Sequence, residues 1–295
     1  MNPREKGFTL LTSTLGNPQR KPLTIAQFRN LAQRAKAMEK PLNNRDMIPE
    51  DIVALGYSRE DAVHILSLLS QEEQLAWYIQ KGKTKNCIPI TRVSQEYPQQ
   101  LRVRLGLDAP GILWAKGDLA ILTQPGIALV GSRDLNSDNL AFAAEVGRQA
   151  ALQSFVLISG NARGADKTAQ NSCLAHGGKV ISVVADSLEK QSLQENVLYL
   201  SEEGFDLSFS GPRALQRNRI IHSLGHFVLV AQCTYGKGGT WSGTARNLRH
   251  RYCPVYCYQD GSNAMQELHQ MGAEFVDMLD LADIPSLANA SDSLI

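Results

Sequence analysis

Residues 127–166 read IALVGSRDLNSDNLAFAAEVGRQAALQSFVLISGNARGAD, and this stretch decides the fold. IALVG (127–131) is a short apolar run of the kind that forms a strand buried on both faces. Ser137–Leu152 follows with helical periodicity, then FVLIS (155–159) as a second strand and Asp166–Ala175 as a second helix. The alternation continues through KVISVV (179–184), NVLYLSE (196–202), FVLVA (227–231) and PVYCY (254–258). Helices are expected at Arg217–Ser223, Thr244–Arg251 and Met265–Gln270.

Apolar strands alternating with helices predict right-handed parallel βαβ units. The fold class is therefore α/β: a Rossmann-like, doubly wound, mostly parallel sheet preceded by a small N-terminal helical domain. That helical part is read from Thr24–Met38, where Ile25, Phe28, Leu31, Ala32 and Ala35 recur at three and four with Thr24 as N-cap. Asp51–Leu55, Arg59–Leu69 and Glu72–Lys81 are further helices. The unit is either helix-hairpin-helix- or SAM-like and packs on DNA, or a bundle that packs only on its neighbour. Ile88–Thr91 and Gly111–Lys116 are short strands. The expected division is a flexible arm at 1–22, the helical domain and connector at 23–112, the Rossmann-like domain at 113–284, and a frayed tail at 285–295.

Composition sets outer bounds. The 295 residues are 43% hydrophobic and 20% charged, which excludes wholesale disorder. No apolar run approaches the roughly 20 residues that span a bilayer, and MNPREKGFTLL lacks the layout of a signal peptide. The five cysteines are an odd number and do not suggest a disulfide framework. A cytoplasmic location follows as an expectation. Net charge is +1, so any polyanion would have to meet a local cluster of cations.

Such a cluster is expected where ligands bind open α/β sheets, beyond the C-terminal strand ends. The loop after the first strand carries Gly131, Ser132, Arg133 and Asp134. The second carries Ser159, Gly160, Arg163, Gly164 and Asp166, with Lys167 just beyond. The fifth carries Lys237, Gly238, Gly239 and Thr240. Arg217, Asn218 and Arg219 precede the fifth strand and are expected to fold back over the same edge. Glycines let backbone amides approach an anion, helix N-termini favour negative charge, and arginine forks suit phosphate oxygens. Tight βα turns also need glycine, so structural turns remain the alternative. There is no G-x-G-x-x-G after the first strand and no G-x-x-x-x-G-K-[ST], which disfavours ordinary NAD binding and a P-loop. No cofactor is expected.

Gly131-Ser132-Arg133, then Ser159-Gly-x-Ala-Arg-Gly-x-Asp166, then Arg217-Asn-Arg-Ile-Ile221 resemble the motif set of the DprA/Smf family of DNA-processing proteins. The lead-in Tyr97-Pro98 and Ile112–Gly117 is similar too, as are Gly238–Thr244 and Pro254–Tyr256, so the likeness covers about residues 45–280. It implies a single-stranded-DNA-binding, non-enzymatic homodimer that loads the RecA recombinase during natural transformation. Carried over by motif, Arg133, Arg163, Arg217, Asn218, Arg219, Lys167 and Lys237 would contact phosphates, without reading base identity. Gln170 stands where the family often has histidine, and no winged helix follows residue 285; both suggest a divergent branch.

Two other readings stay open on the residues. One is a nucleotide- or DNA-sensing regulator or antitoxin of a defence system, with a toxin-like protein encoded nearby as partner. The other is a nucleotide-cleaving enzyme, disfavoured because no acid follows Gly238-Gly239-Thr240 before Glu267. Asp134 and Asp166 read as a helix cap or arginine partners rather than catalytic acids. Cys253 and Cys257 read as buried strand cysteines rather than metal ligands. Trp241 is either core or a surface for a base.

Overall fold

The computed structural model describes residues 1–36 and 47–292. Five helices come first: α1 (Pro3–Thr12), α2 (Ile25–Lys36), α3 (Pro49–Ala54), α4 (Arg59–Leu69) and α5 (Glu72–Thr84). The expected loose arm is corrected by α1. Asn2 and Glu5 form a reciprocal capping box at its start, which satisfies two otherwise free amides. Phe8, Leu10 and Leu11 are buried, as is Leu15 just beyond. Arg20, itself buried, donates to the carbonyls of Ser13, Leu10 and Leu68, so the segment after α1 is tied to α4. Thr24 Oγ1 accepts from the Gln27 amide at 3.2 Å, which fulfils its role as cap of α2. The expected end of that helix, at Met38, lies outside the described residues.

The rest is one nine-stranded sheet with helices around it. In chain order it runs β1 (Ile88–Thr91), α6 (Gln99–Leu105), β2 (Ile112–Lys116), β3 (Gly126–Val130), α7 (Ser137–Leu152), β4 (Val156–Ser159), α8 (Ala165–Ala175), β5 (Lys179–Val183) and β6 (Val197–Glu202). It continues with α9 (Gly211–Leu224), β7 (Val228–Val230), α10 (Gly238–His250), β8 (Val255–Tyr258), α11 (Asn263–Gln270), β9 (Glu274–Val276) and α12 (Ile284–Asp292). The order across the sheet is β1-β2-β6-β5-β4-β3-β7-β8-β9. Strands β3 to β9 pair in parallel, and β2 joins β6 antiparallel at one edge. The connector strand β1 thus belongs to this sheet, paired to β2.

The chain builds outward from β3 through β4, β5 and β6, then returns to place β7 on the other flank of β3. That reversal is the topological switch point, where a crevice opens beyond the strand ends. The parallel strands are buried almost throughout, as expected for a sheet covered on both faces. One helix contact is unusually close. Gly147 on α7 lies directly against the Ala169 carbonyl of α8, where a Cβ would overlap that backbone. The expected frayed tail is, up to Asp292, the helix α12, with Ile284 buried at its start; residues 293–295 lie outside the described residues.

Candidate nucleic-acid interface

Two helix starts differ from expectation by more than a turn, and both reshape the site. Helix α9 begins at Gly211, capped by Ser210, rather than at Arg217. Arg217, Asn218 and Arg219 are therefore in its middle, and residues two apart on a helix point to different sides. Helix α10 begins at Gly238 rather than at Thr244, so the glycine-rich run is its first turns and not a loop.

At the switch point a cavity of about 510 Å³ opens between the β3, β4 and β7 loops, α9 and the start of α10. Glycine makes the convergence of the loops possible. Gly164, at φ +85°, lies against the carbonyls of Ser132 and Arg133, so the first and second loops touch there. The Ala165 amide donates to Ser132 O at 3.2 Å and closes that contact. Thr240 Oγ1 donates to Gly131 O at 2.9 Å and ties α10 to the end of β3.

Arg217 occupies the floor. Its guanidinium rests on Gly160, in the space a Cβ would fill. It is 9% exposed, and among the described residues its Nε has no hydrogen-bond partner and it makes no ion pair. Beside it Asp166 is buried, with Oδ2 accepting from the amides of Gly160 and Ala162, both at 3.1 Å. Asp166 thus shapes the loop that seats Arg217. Burial pushes the Asp166 carboxyl up and the Arg217 guanidinium down, and each charge partly offsets the shift of the other. Arg133 also acts on both through space.

The other expected residues fall into three groups. Gly131, Ser132, Arg133, Asn218, Lys237 and Gly238–Thr240 line the cavity with Arg217. Arg133 and Lys237 are exposed, and Lys237 at the N-cap of α10 makes no side-chain cap. The first amides of α10 consequently lack a side-chain acceptor beside the cavity, an arrangement that favours an anion. Asn218 serves the scaffold as well: its Nδ2 donates to Gly239 O at 3.0 Å. Arg163 and Lys167 form a second group, exposed outside the cavity, with Arg163 paired to Asp134 at 2.8 Å in the open.

Ser159 and Arg219 are corrections to the expected rim. Ser159 is fully buried and its Oγ accepts from Gln170 Nε2 at 2.6 Å, inside the protein. Arg219 is 7% exposed and held by Glu202 in a two-pronged ion pair, with a further bond to the Asp108 carbonyl. It lines a different cavity, of about 730 Å³, between the α/β sheet and the segments around α1 and α2. Helix α9 is the wall between the two cavities, with Arg217 on one side and Arg219 on the other.

The seam between α9 and α10 is the base of this wall. Asn218 and His222, one turn apart on α9, pack against Gly239 and Gly243, one turn apart on α10. His222 is fully buried, meets Asn247 Nδ2 at 3.2 Å through Nδ1, and leaves Nε2 unpartnered. Burial, then the positive charge of Arg217, pushes its imidazole down to about 3. Sequence reasoning missed this seam, and it also missed Phe209 and Leu215, large apolar side chains half-exposed at the cavity mouth. The signal for Phe209 was an aromatic residue set in the polar turn Ser208–Gly211. Cys257 in β8 and Cys253, which lies before that strand rather than in it, are buried in one core cluster, and all five cysteines are free.

Comparisons with known proteins point the same way. The model of the family described as DNA recombination-mediator protein A matches residues 89–286. The DNA processing protein DprA of Streptococcus pneumoniae is 35% identical over 144 residues, which cover 44% of this chain and 50% of that protein. That of Bacillus subtilis is 28% identical over 169 residues, 54% of this chain and 55% of the other. The chain thus spans about half the length of these curated relatives. The crystal structure of DprA from Streptococcus pneumoniae shares the fold with a TM-score of 0.64 at 24% identity, over 86% of this chain and 95% of that one. DNA processing protein A from Helicobacter pylori, whose structure is described for its single-stranded DNA binding mode, gives 0.57 at 22%, over 70% and 97%. Among the described residues, no helix is long and apolar enough to cross a membrane. With the motifs meeting at one switch point and the family model spanning two thirds of its length, this chain belongs to the DNA recombination-mediator protein A family.

Proposed function

We propose that this chain binds single-stranded DNA in the switch-point cavity and serves DNA processing and recombination as a binding protein rather than an enzyme. Arg217 carries the reading. Its buried guanidinium lines the cavity and, among the described residues, makes no ion pair, a cost that an arriving phosphate would lower. Arg133, Lys237 and the open amides of α10 surround the same space. The carboxylate that lines the cavity, Asp166, is committed to two loop amides, which favours binding over acid–base chemistry. Arg163 and Lys167 extend the cationic surface beyond the mouth.

The same reading takes RecA as protein partner, a homodimeric state, a cytoplasmic location and a part in natural transformation. The relatives named above favour it over the regulator alternative. Fluorescence anisotropy of a labelled single strand of about 20 nucleotides tests it. Binding should weaken with salt by about 0.7 in log–log slope for each phosphate neutralised. A protein that leaves the strand free at low salt would overturn it.

A further inference from the structure

Away from the switch point, the connector between the helical part and the sheet carries a second group of cations. Arg29 on α2, Arg92 just after β1 and Arg102 on α6 come together where α2 packs against the turn 106–108. Arg92 Nη1 donates to Gly106 O at 2.7 Å and to Ala109 O at 3.3 Å. Arg102 donates to Ser94 O at 3.4 Å, with its guanidinium 5.5 Å from the centre of the Tyr97 ring. Arg29 and Arg102 are exposed, and among the described residues none of the three arginines is in an ion pair. Burial, then the positive charges of Arg102 and Arg29, push the Arg92 guanidinium down. Two aliphatic side chains stand beside these charges in water: Val103 is 71% exposed and Leu107 is 48% exposed. Leu101 and Leu105 turn α6 toward the core, which sends Val103 outward next to Arg102. Leu107 follows Gly106, whose carbonyl Arg92 holds.

We propose that this face docks an acidic, aliphatic segment of a partner protein, whose apolar side chains meet Val103 and Leu107 while its carboxylates meet Arg29, Arg92 and Arg102. Arginines around an apolar centre are the composition of a protein interface, and their forks accept carboxylates in bidentate fashion. Opposite charge on the partner also speeds and orients the encounter. A nucleic acid fits less well. Val103 and Leu107 offer no flat ring to a base, and Tyr97 is buried. Nor does a strand held in the switch-point cavity run on to this face. Asp108, Glu202 and Glu203 line the cavity between α9 and the turn 106–108, and they repel phosphates. The inference is independent of the DNA reading, since it uses none of the residues proposed to hold phosphates.

The probe is a fluorescein-labelled peptide of about 12 residues, rich in aspartate and glutamate, with leucines four apart. Anisotropy compares it with a peptide of the same charge in which serine replaces leucine, and with oligothymidylate. Wild type should prefer the leucine peptide by at least about fivefold. Val103→Ser and Arg102→Gln should each weaken that peptide by at least about fivefold and leave oligothymidylate affinity unchanged. Both side chains are exposed, so the variants keep the core, and circular dichroism checks the fold. Absence of peptide binding at low salt, equal binding of the two peptides, or wild-type peptide affinity in either variant overturns the proposal. Displacement of the peptide by oligothymidylate, or loss of oligothymidylate binding in Arg102→Gln, makes this a nucleic-acid surface and overturns it as well. Peptide binding by a protein that ignores oligothymidylate supports this proposal and sinks the DNA reading alone.

Discussion

Acid should weaken this protein through His222, by an amount that follows from its surroundings. The imidazole is fully buried between α9 and α10, and burial beside Arg217 pushes it down to about 3. In the unfolded chain it titrates near 6.5. Between those values the unfolded state binds a proton that the folded state refuses, so stability rises with pH. The contribution is complete above the unfolded value and is lost as pH falls below it, by up to about 1.4 kcal/mol per pH unit. From about pH 7.5 to about pH 5 the loss attributable to His222 is about 2 kcal/mol. Urea titrations of wild type and His222→Gln at both pH values measure it. The variant should be less stable overall, since the Asn247 contact and the fit against Gly243 are disturbed, yet it should lose about 2 kcal/mol less between the two conditions. Other titrating groups cancel in that difference. Equal losses in the two proteins would mean instead that His222 is protonated in the fold or water-accessible.

Three other substitutions separate scaffold from site. Gly160→Ala should place a methyl group where the Arg217 guanidinium rests, leaving the fold intact by circular dichroism while single-strand affinity falls by roughly tenfold. Arg219→Ala should lower stability by about 3 kcal/mol in urea unfolding, because Glu202 would be left largely enclosed and unpaired, with the salt slope of DNA binding unchanged. Gly147→Ala should force α7 away from α8 and lower stability by about 1–3 kcal/mol, read by the same unfolding assay, with little effect on binding once folded.

The arrangement of the sheet was open to a reader of the sequence because it depends on local pattern. Short apolar strands separated by amphipathic helices leave few topologies once crossovers are right-handed. The switch point, and with it Gly131–Arg133 and Lys237–Thr240, followed from that. What depended on tertiary partners was hidden. The segment before Pro22 is polar and rich in turn formers, and α1 is buried because Arg20, α4 and Phe28 of α2 close over it. Glycines lower helix propensity, so Gly238–Gly243 read as a loop; in the fold they let α10 approach Asn218 and His222 closely.

Arg217 and Arg219 show the same limit at the site. Placed at the start of a helix, Arg217-Asn218-Arg219 read as one cationic rim. Placed mid-helix, their spacing sends one arginine to each wall of α9. The partner of Arg219, Glu202, lies at the end of β6, and no local pattern connects the two. Ser159 was misread for a similar reason: Gln170 reaches its hydroxyl from α8, across the loop.

Arg217, and not Arg219, should anchor a DNA phosphate at the switch point. Salt titrations of single-strand binding by wild type, Arg217→Gln and Arg219→Ala, each checked for a folded circular dichroism spectrum, test it most directly. Arg217→Gln should flatten the slope by about 0.7 and weaken binding at low salt, while Arg219→Ala should keep the wild-type slope. A wild-type slope in Arg217→Gln, or a flattened one in Arg219→Ala, would contradict it.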